Sequence, residues 1–238
     1  MTAIVLVHGL WADGSCWSET ITELLALGHD PVAAQLSLQS MEDDIAAVRR
    51  VLTTFDTGEP VLLTGWSYGG AVITNAARGQ DSVAALAYVA AFAPDEGESV
   101  SDISRRRTGS LLPEHIRTTE DQHSYIDRRA YGKVMAADAA EERTALAAAV
   151  QKLPRLGIDT APSGSPAWRT LPTHYLIATE DRALPAATQR ELAARMGAET
   201  VEWPTGHGPM YSRPKDLALY LDRIVKNSMG GGSSRTRW

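Results

Sequence analysis

A serine flanked by glycines is the clearest chemical feature of the sequence, in the pentapeptide Gly65-Trp66-Ser67-Tyr68-Gly69. The pentapeptide follows an apolar run at 60–64 and precedes a helical pattern at 68–78, which predicts a sharp turn from a strand into a helix. Glycines two positions before and after the serine permit the close backbone approach that such a turn requires. The start of the helix also favours negative charge beside the serine. The pattern therefore predicts Ser67 as the nucleophile of an acyl-transfer reaction.

A serine hydroxyl is a weak nucleophile and needs a base within hydrogen-bond reach. Where this kind of turn carries the nucleophile, the order along the chain is serine, acid and then histidine. If the acid follows the apolar run at 173–178, His207 is the one histidine of the sequence downstream of it. His207 stands between two glycines after the run at 199–203, at a strand end where ligands bind in parallel sheets. We therefore predict His207 as the general base.

The acid that orients this histidine should follow another strand. Asp181 comes directly after the run at 173–178, and we predict that it orients the imidazole and stabilises its cation. Glu180 is the neighbouring alternative, and Asp95, after the run at 83–91, is a second alternative.

An oxyanion produced by attack at a carbonyl needs two backbone N–H donors. Tyr68 follows the nucleophile and supplies one, and Leu10, in the turn after the first strand, is the candidate for the other. His8 is expected to hold that turn as a structural residue. Trp11 and Trp66 flank these groups in sequence and are the candidate substrate-binding residues of an apolar pocket.

The elements that must position these residues alternate between apolar runs and helical patterns. This alternation predicts an α/β fold with a mostly parallel, six-stranded sheet flanked by helices. The helical patterns include 68–78, 186–196 and 214–226. The predicted strands lie at 3–8, 31–36, 60–64, 83–91, 173–178 and 199–203.

Residues 94–171 interrupt the alternation, because they contain helical pieces and no convincing buried strand. The stretch is too long for a plain crossover, and we interpret it as an inserted helical cap. The predicted core then consists of 1–93 and 172–227, and 228–238 is predicted to be a Gly/Ser-rich tail.

At these residues the chain resembles the α/β-hydrolase fold superfamily. It is similar in particular to the small, cap-bearing serine esterases of the plant methylesterase and hydroxynitrile lyase group and to their actinobacterial relatives. The resemblance covers most of 1–225 and implies Ser67, Asp181 and His207 as the triad, with Leu10 and Tyr68 at the oxyanion hole. The matching segments are Leu6-Val7-His8-Gly9, Gly65-Trp66-Ser67-Tyr68-Gly69-Gly70, Ala90-Ala91-Phe92-Ala93-Pro94-Asp95, Ala178-Thr179-Glu180-Asp181-Arg182-Ala183-Leu184-Pro185 and Gly206-His207.

Two positions depart from the hydroxynitrile lyases of that group. Gly9 stands where those lyases carry threonine, and Gly208 stands where they carry lysine, so lyase chemistry is disfavoured. Serine at position 67 also disfavours the epoxide hydrolases and haloalkane dehalogenases, which use a carboxylate nucleophile.

The expected function is hydrolysis of a carboxylic ester, lactone or thioester of a small, largely apolar substrate through an acyl-enzyme. One alternative keeps the fold and changes the reaction to a cofactor-free perhydrolase, a C–C hydrolase or a lyase-like activity. Another alternative is a ligand receptor without catalysis. No cofactor and no metal are expected.

Composition excludes several other classes. Among the 238 residues, 23 Lys and Arg face 29 Asp and Glu, and the net charge of −6 argues against a nucleic-acid partner. One cysteine, Cys16, excludes an internal disulfide. No apolar run suggests a membrane span, and the first residues predict a strand and not a signal peptide. We expect a cytoplasmic protein, with a monomer and a homodimer both open.

Overall fold

The apolar runs of the sequence form one parallel sheet. The structure is a computed structural model that describes residues 2–55, 59–106 and 108–229. Within this part of the chain the main sheet has six strands in the order β2-β1-β3-β4-β7-β8, and every neighbouring pair is parallel. The predicted α/β fold is confirmed. The strands of this sheet are β1 (Ala3–Val7), β2 (Asp30–Ala34), β3 (Val61–Trp66), β4 (Val83–Val89), β7 (Thr173–Ala178) and β8 (Glu199–Trp203).

Burial follows the position of each strand in the sheet. All residues of β1, β3 and β7 are buried, whereas most residues of the edge strands β2 and β8 are exposed or half-buried. A strand covered on both faces needs a continuous apolar run, and an edge strand does not. The weak apolar run at 31–36 predicted β2 only approximately, although the edge strand β8, which is at least as exposed, has the bounds that the run at 199–203 predicts.

Helices connect the strands and cover the sheet. Helix α1 packs against α10, and α2 packs against α3. Ser40 caps α2 by accepting a hydrogen bond from the N–H of Asp43. The helices are α1 (Ser18–Ala26), α2 (Met41–Leu52), α3 (Tyr68–Ala76), α4 (Val100–Arg105), α5 (Leu112–His115), α6 (Tyr131–Met135), α7 (Glu141–Val150), α8 (Ala186–Met196), α9 (Pro209–Ser212) and α10 (Pro214–Met229).

The long segment between β4 and β7 contains α4 to α7 and is not wholly helical. It also contains a short antiparallel pair, β5 (Ile116–Thr118) and β6 (Ser124–Ile126). Strands of this length are too short for a two-residue period to be recognised, and β5 is largely exposed. The division of the chain into a core and a cap at 94–171 stays a prediction.

The last helix is longer than its pattern predicts. Helix α10 continues to Met229, so the predicted start of the tail at Ser228 is still helical. The remainder of the predicted tail, 230–238, lies outside the described residues.

His8 holds the turn after β1. Its Nε2 accepts a hydrogen bond from the N–H of Leu36 at 3.0 Å, which leaves the proton on Nδ1 for donation to the carbonyl of Gly9 at 2.9 Å. The ring is fully buried, and burial lowers the pKa of His8 to about 4. A neutral imidazole with both nitrogens bound to backbone is a structural element, in agreement with the sequence-based expectation.

We predict that His8 makes stability fall in mild acid. Its pKa is about 4 in the folded protein against 6.5 ordinarily, so its contribution is complete above pH 6.5 and is lost as pH falls toward 4. Between pH 7 and pH 5 this linkage amounts to about 2 kcal/mol. Urea unfolding of the wild type and His8→Asn at both pH values measures it, since asparagine does not titrate. Equal pH dependence in the two proteins contradicts the prediction.

Candidate active site

Ser67 lies at the junction of β3 and α3, as the pentapeptide predicts. Its backbone has φ 55° and ψ −125°, a conformation that residues with a side chain rarely adopt. The carbonyl of Ser67 accepts hydrogen bonds from the N–H groups of Gly70 and Phe92, each at 3.0 Å. The strained turn is therefore fixed by backbone contacts on both sides, and it presents the serine at the carboxyl end of the sheet.

The glycines of the turn are required by close backbone approach. A β-carbon on Gly65 would lie 2.6 Å from the carbonyl oxygen of Gly69, and one on Gly69 would lie 2.5 Å from the carbonyl oxygen of Val7. Both distances are too short for any side chain. A β-carbon on Gly9 would lie 2.8 Å from the β-carbon of Ser67. The turn after β1 is thus pressed directly against the serine.

His207 lies in the loop between β8 and α9 and is paired with Asp181. Its Nδ1 is 2.7 Å from Oδ2 of Asp181, and both side chains are buried. Trp66 contacts His207 in two ways: its Nε1 donates to the carbonyl of His207 at 2.7 Å, and the centroids of the two rings lie 5.4 Å apart. The residue that precedes the serine therefore also binds the backbone of the histidine.

The residues on either side of His207 are bound by the end of α6 and the segment that follows it. The N–H of Gly206 donates to Oδ1 of Asp138 at 2.9 Å, and the N–H of Gly208 donates to the carbonyl of Met135 at 2.8 Å. The second contact is a backbone hydrogen bond. Sequence reasoning missed both contacts, because Asp138 lies far from His207 along the chain and carries no motif.

Asp181, and not Glu180 or Asp95, contacts the histidine. Oδ1 of Asp181 accepts from the backbone N–H groups of Ala183 and Leu184 at 2.7 and 2.8 Å, so the carboxylate is fixed by its own loop. Asp95 forms an ion pair with Arg169 instead. The structure therefore distinguishes between acids that the sequence left open.

Gln189 is a member of this cluster that the sequence analysis missed. Its Nε2 donates to Oδ2 of Asp181 at 2.8 Å, and its Oε1 accepts from the N–H of Ala178 at 2.9 Å. Gln189 is fully buried on α8, between positions that pack apolar side chains into the core. A polar residue on the apolar face of a predicted helix was the available signal.

The two predicted oxyanion donors lie beside Ser67. Leu10 lines the same cavity as the serine, and Tyr68 is the first residue of α3, where backbone N–H groups lack helical partners. The phenol of Tyr68 is directed elsewhere, because it donates to Oδ2 of Asp44 at 3.0 Å. Tyr68 can therefore contribute to the site through its backbone while its side chain ties α3 to α2.

A cavity of about 180 Å³ adjoins Ser67. Trp11 lines it, and Nε1 of that residue donates to the hydroxyl of Ser124 at 3.1 Å. Trp66 does not line this cavity, because it is fully buried and its ring contacts His207. The expectation that Trp66 contributes to the pocket wall is therefore not met. The remaining lining residues are Leu10, Tyr68, Phe92, Val100, Ser104, Ser110, Leu112, Pro113, Ile116, Asp159, Ala183, Leu184, Pro185 and Thr188.

The part of the chain that the structure describes offers no group of three or more His, Cys, Asp or Glu side chains placed to hold a metal ion. In the same residues, none of the helices has the combination of length and apolar character that crossing a bilayer demands. Within that part of the chain, the polar side chains that line the cavity are those of Ser67, Tyr68, Ser104, Ser110, Asp159 and Thr188, together with the indole N–H of Trp11.

Comparisons with known proteins agree with this architecture. An alpha/beta hydrolase from Aspergillus novofumigatus is 28% identical, over 96% of each chain. Methylesterase 2 from Arabidopsis thaliana is 24% identical and covers 94% of this chain and 95% of its own length. The crystal structure of tomato methylketone synthase I superposes with a TM-score of 0.83 at 17% identity, covering 95% of this chain and 98% of that one.

A comparison with protein-family models identifies the family of the chain. The model of the alpha/beta hydrolase family matches residues 4–218, which include the strained serine turn, the aspartate after β7 and the histidine after β8. The chain belongs to the alpha/beta hydrolase family.

Proposed function

We propose that this protein is a serine hydrolase that cleaves a carboxylic ester through an acyl-enzyme. The observation that carries the proposal is the buried hydrogen bond of 2.7 Å between His207 and Asp181, at the sheet edge where Ser67 occupies a strained turn. The similarity to Methylesterase 2 over nearly the whole chain supports ester hydrolysis as the reaction. A lactone or thioester fits the same chemistry.

In the proposed reaction, Oγ of Ser67 attacks the carbonyl carbon while Nε2 of His207 takes the hydroxyl proton. The backbone N–H groups of Leu10 and Tyr68 stabilise the oxyanion. His207 then gives its proton to the leaving alcohol, and an acyl-serine remains. Water activated by His207 attacks this ester, and its collapse releases the acid and restores the serine. Asp181 stays ionised and stabilises the imidazolium.

The dimensions of the cavity support a small substrate. A volume of about 180 Å³ is below the range of about 300–1,000 Å³ that is common for ligand pockets. Aliphatic and aromatic residues form much of its wall, which favours largely apolar acyl and alcohol groups.

Other reactions on the same fold are the second candidate. The likeness to a methylketone synthase rests on the fold alone, yet the same fold supports more than one reaction. Lyase chemistry is disfavoured, because a threonine at position 9 would need space that the β-carbon of Ser67 occupies. Product analysis on esters, β-diketones and cyanohydrins separates a C–C hydrolase or lyase from an esterase, and perhydrolase activity is measured with peroxide added. A receptor without catalysis would bind ligand tightly and leave Ser67 unlabelled by a fluorophosphonate.

Replacing the nucleophile should abolish activity. We expect Ser67→Ala to lower kcat for p-nitrophenyl acetate by about 10⁴- to 10⁶-fold. The variant should unfold at the same temperature as the wild type, because alanine has the same backbone preferences as serine at this turn. Ser15→Ala, at an exposed serine outside the cavity, is the matched control and should keep full activity. Wild-type turnover by Ser67→Ala would falsify the mechanism.

Substitutions of Asp181 and of the neighbouring Glu180 test which carboxylate orients His207. In Asp181→Asn, the N–H groups of Ala183 and Leu184 should bind the new amide oxygen, so its NH₂ would face Nδ1 of His207. The imidazole would then be held in the wrong tautomer, and we expect kcat to fall by about 10⁴-fold. Glu180→Gln is the matched control and should change kcat by less than about twofold. A larger loss in Glu180→Gln than in Asp181→Asn would identify Glu180 as the acid.

The hydrogen bond from Trp66 to the histidine loop predicts a positioning effect. Trp66→Phe removes the donor to the carbonyl of His207 and leaves that buried oxygen without its partner. Because a small displacement of a catalytic group is costly, we expect kcat to fall by about 10- to 100-fold with KM little changed. Trp203→Phe, whose ring packs on Tyr220, controls for the loss of an indole. Equal kcat in the two variants would show that the contact does not position His207.

A further inference from the structure

Asp159 is an acidic residue in the otherwise largely apolar lining of the cavity beside Ser67. Among the described residues that line the cavity it is the one with a charged side chain, and its neighbours include Val100, Leu112 and Ile116. Asp159 lies in a short 3₁₀ helix, Ile158–Thr160, whose first residue is buried in the core. Asp159 as a whole is half-buried. The 3₁₀ helix is therefore fixed by the buried Ile158 and places the charged Asp159 at the cavity wall.

Within residues 2–55, 59–106 and 108–229, no hydrogen bond or ion pair engages the carboxylate of Asp159. The 3₁₀ helix packs against α4, whose end carries two arginines, but both arginines have other partners. Arg105 lies 3.6 Å from Asp102, and Arg106 pairs with Glu98. Among the described residues, the carboxylate of Asp159 therefore has no partner and can interact with a ligand in the cavity.

A second carboxylate stands behind the same wall. Asp44 accepts a hydrogen bond from the phenol of Tyr68, and Tyr68 lines the cavity together with Asp159. Burial raises the pKa of the Tyr68 phenol far above its usual value, and the negative charges of Asp44 and Asp159 raise it further. Acidic side chains from two separate elements, Asp44 on α2 and Asp159 on the 3₁₀ helix, therefore lie near the wall at Tyr68.

We propose that Asp159 makes the cavity selective for esters that carry a cationic group, such as a quaternary or protonated amine. The inference rests on the proposed esterase function and assigns its substrate class. A neutral ligand that displaces water from Asp159 pays for an unpaired charge, whereas a cation compensates it and an anion is repelled. The apolar walls strengthen this discrimination, because charges interact more strongly where water is excluded.

A pair of substrates that differ in charge and hardly in shape tests the proposal. Acetylthiocholine and 3,3-dimethylbutyl thioacetate carry a trimethylammonium and a tert-butyl group respectively, and hydrolysis of each releases acetate and a thiol that Ellman's reagent measures. We expect wild-type kcat/KM to be about tenfold higher for the cation, which corresponds to about 1.4 kcal/mol. In Asp159→Asn the ratio should fall to about one, mainly through loss of activity on the cationic substrate.

Inhibition gives a readout that does not depend on turnover of these thioesters. Choline should inhibit hydrolysis of p-nitrophenyl acetate more strongly than 3,3-dimethylbutan-1-ol does, and Asp159→Asn should remove the difference. Asp121→Asn is the matched control: it removes a carboxylate that is 78% exposed and outside the cavity lining, and should retain the preference.

The outcomes separate this proposal from the esterase proposal. If wild type and Asp159→Asn have the same substrate ratio, or where neither thioester is cleaved the same inhibition ratio, Asp159 does not select the substrate and the inference is overturned. Such a result leaves hydrolysis of p-nitrophenyl acetate intact. If instead wild type cleaves no ester and Ser67 is not labelled by a fluorophosphonate, the esterase proposal itself fails, and the substrate class fails with it.

Discussion

The site depends on how closely three backbone segments approach one another at Ser67. The turn after β1, the end of β3 and the start of α3 converge there, and a β-carbon at Gly9, Gly65 or Gly69 would collide with a neighbour. Ser67 adopts a strained backbone conformation with φ 55°, which lowers the stability of the folded protein by about 1–3 kcal/mol. Such strain persists because β1 and β3 are buried and paired along their length. A rigid sheet thus holds the serine in place.

The histidine is positioned differently, since its loop has no regular structure. Contacts from separate parts of the fold hold it: Trp66 from the serine turn, Asp181 from the end of β7, and Asp138 through the neighbouring Gly206. Gln189 in turn holds Asp181. The end of α6 and the residues that follow it therefore bind the backbone on both sides of the histidine.

Prediction from the sequence was most accurate where a local requirement, such as the burial of apolar residues or the steric limits of a turn, determines the residue types. β7, β8 and α8 have the boundaries that their patterns predict, and β2, a half-exposed edge strand, is displaced from its predicted range. Ser67 was predicted because steric limits at the turn leave a local signature. The choice of Asp181 over Glu180 required a contact, and the roles of Gln189 and Asp138 arise from residues distant in sequence. Trp66 was misinterpreted because local sequence does not say which side of the turn a side chain occupies.

The strand order has an evolutionary consequence. β4 and β7 are adjacent partners in the sheet although residues 90–172 separate them in the chain, with Leu86 opposite Thr173. Closing a loop of twice a given length costs only about 0.6 kcal/mol more in entropy. Insertions and deletions between these strands can therefore accumulate at little thermodynamic cost, while the sheet that carries the serine and the aspartate keeps its register. The contacts to Gly206 and Gly208 limit this freedom, because any replacement segment must still provide an acceptor for each of those amides. Phe92 limits it in the same way, because its N–H binds the carbonyl of Ser67.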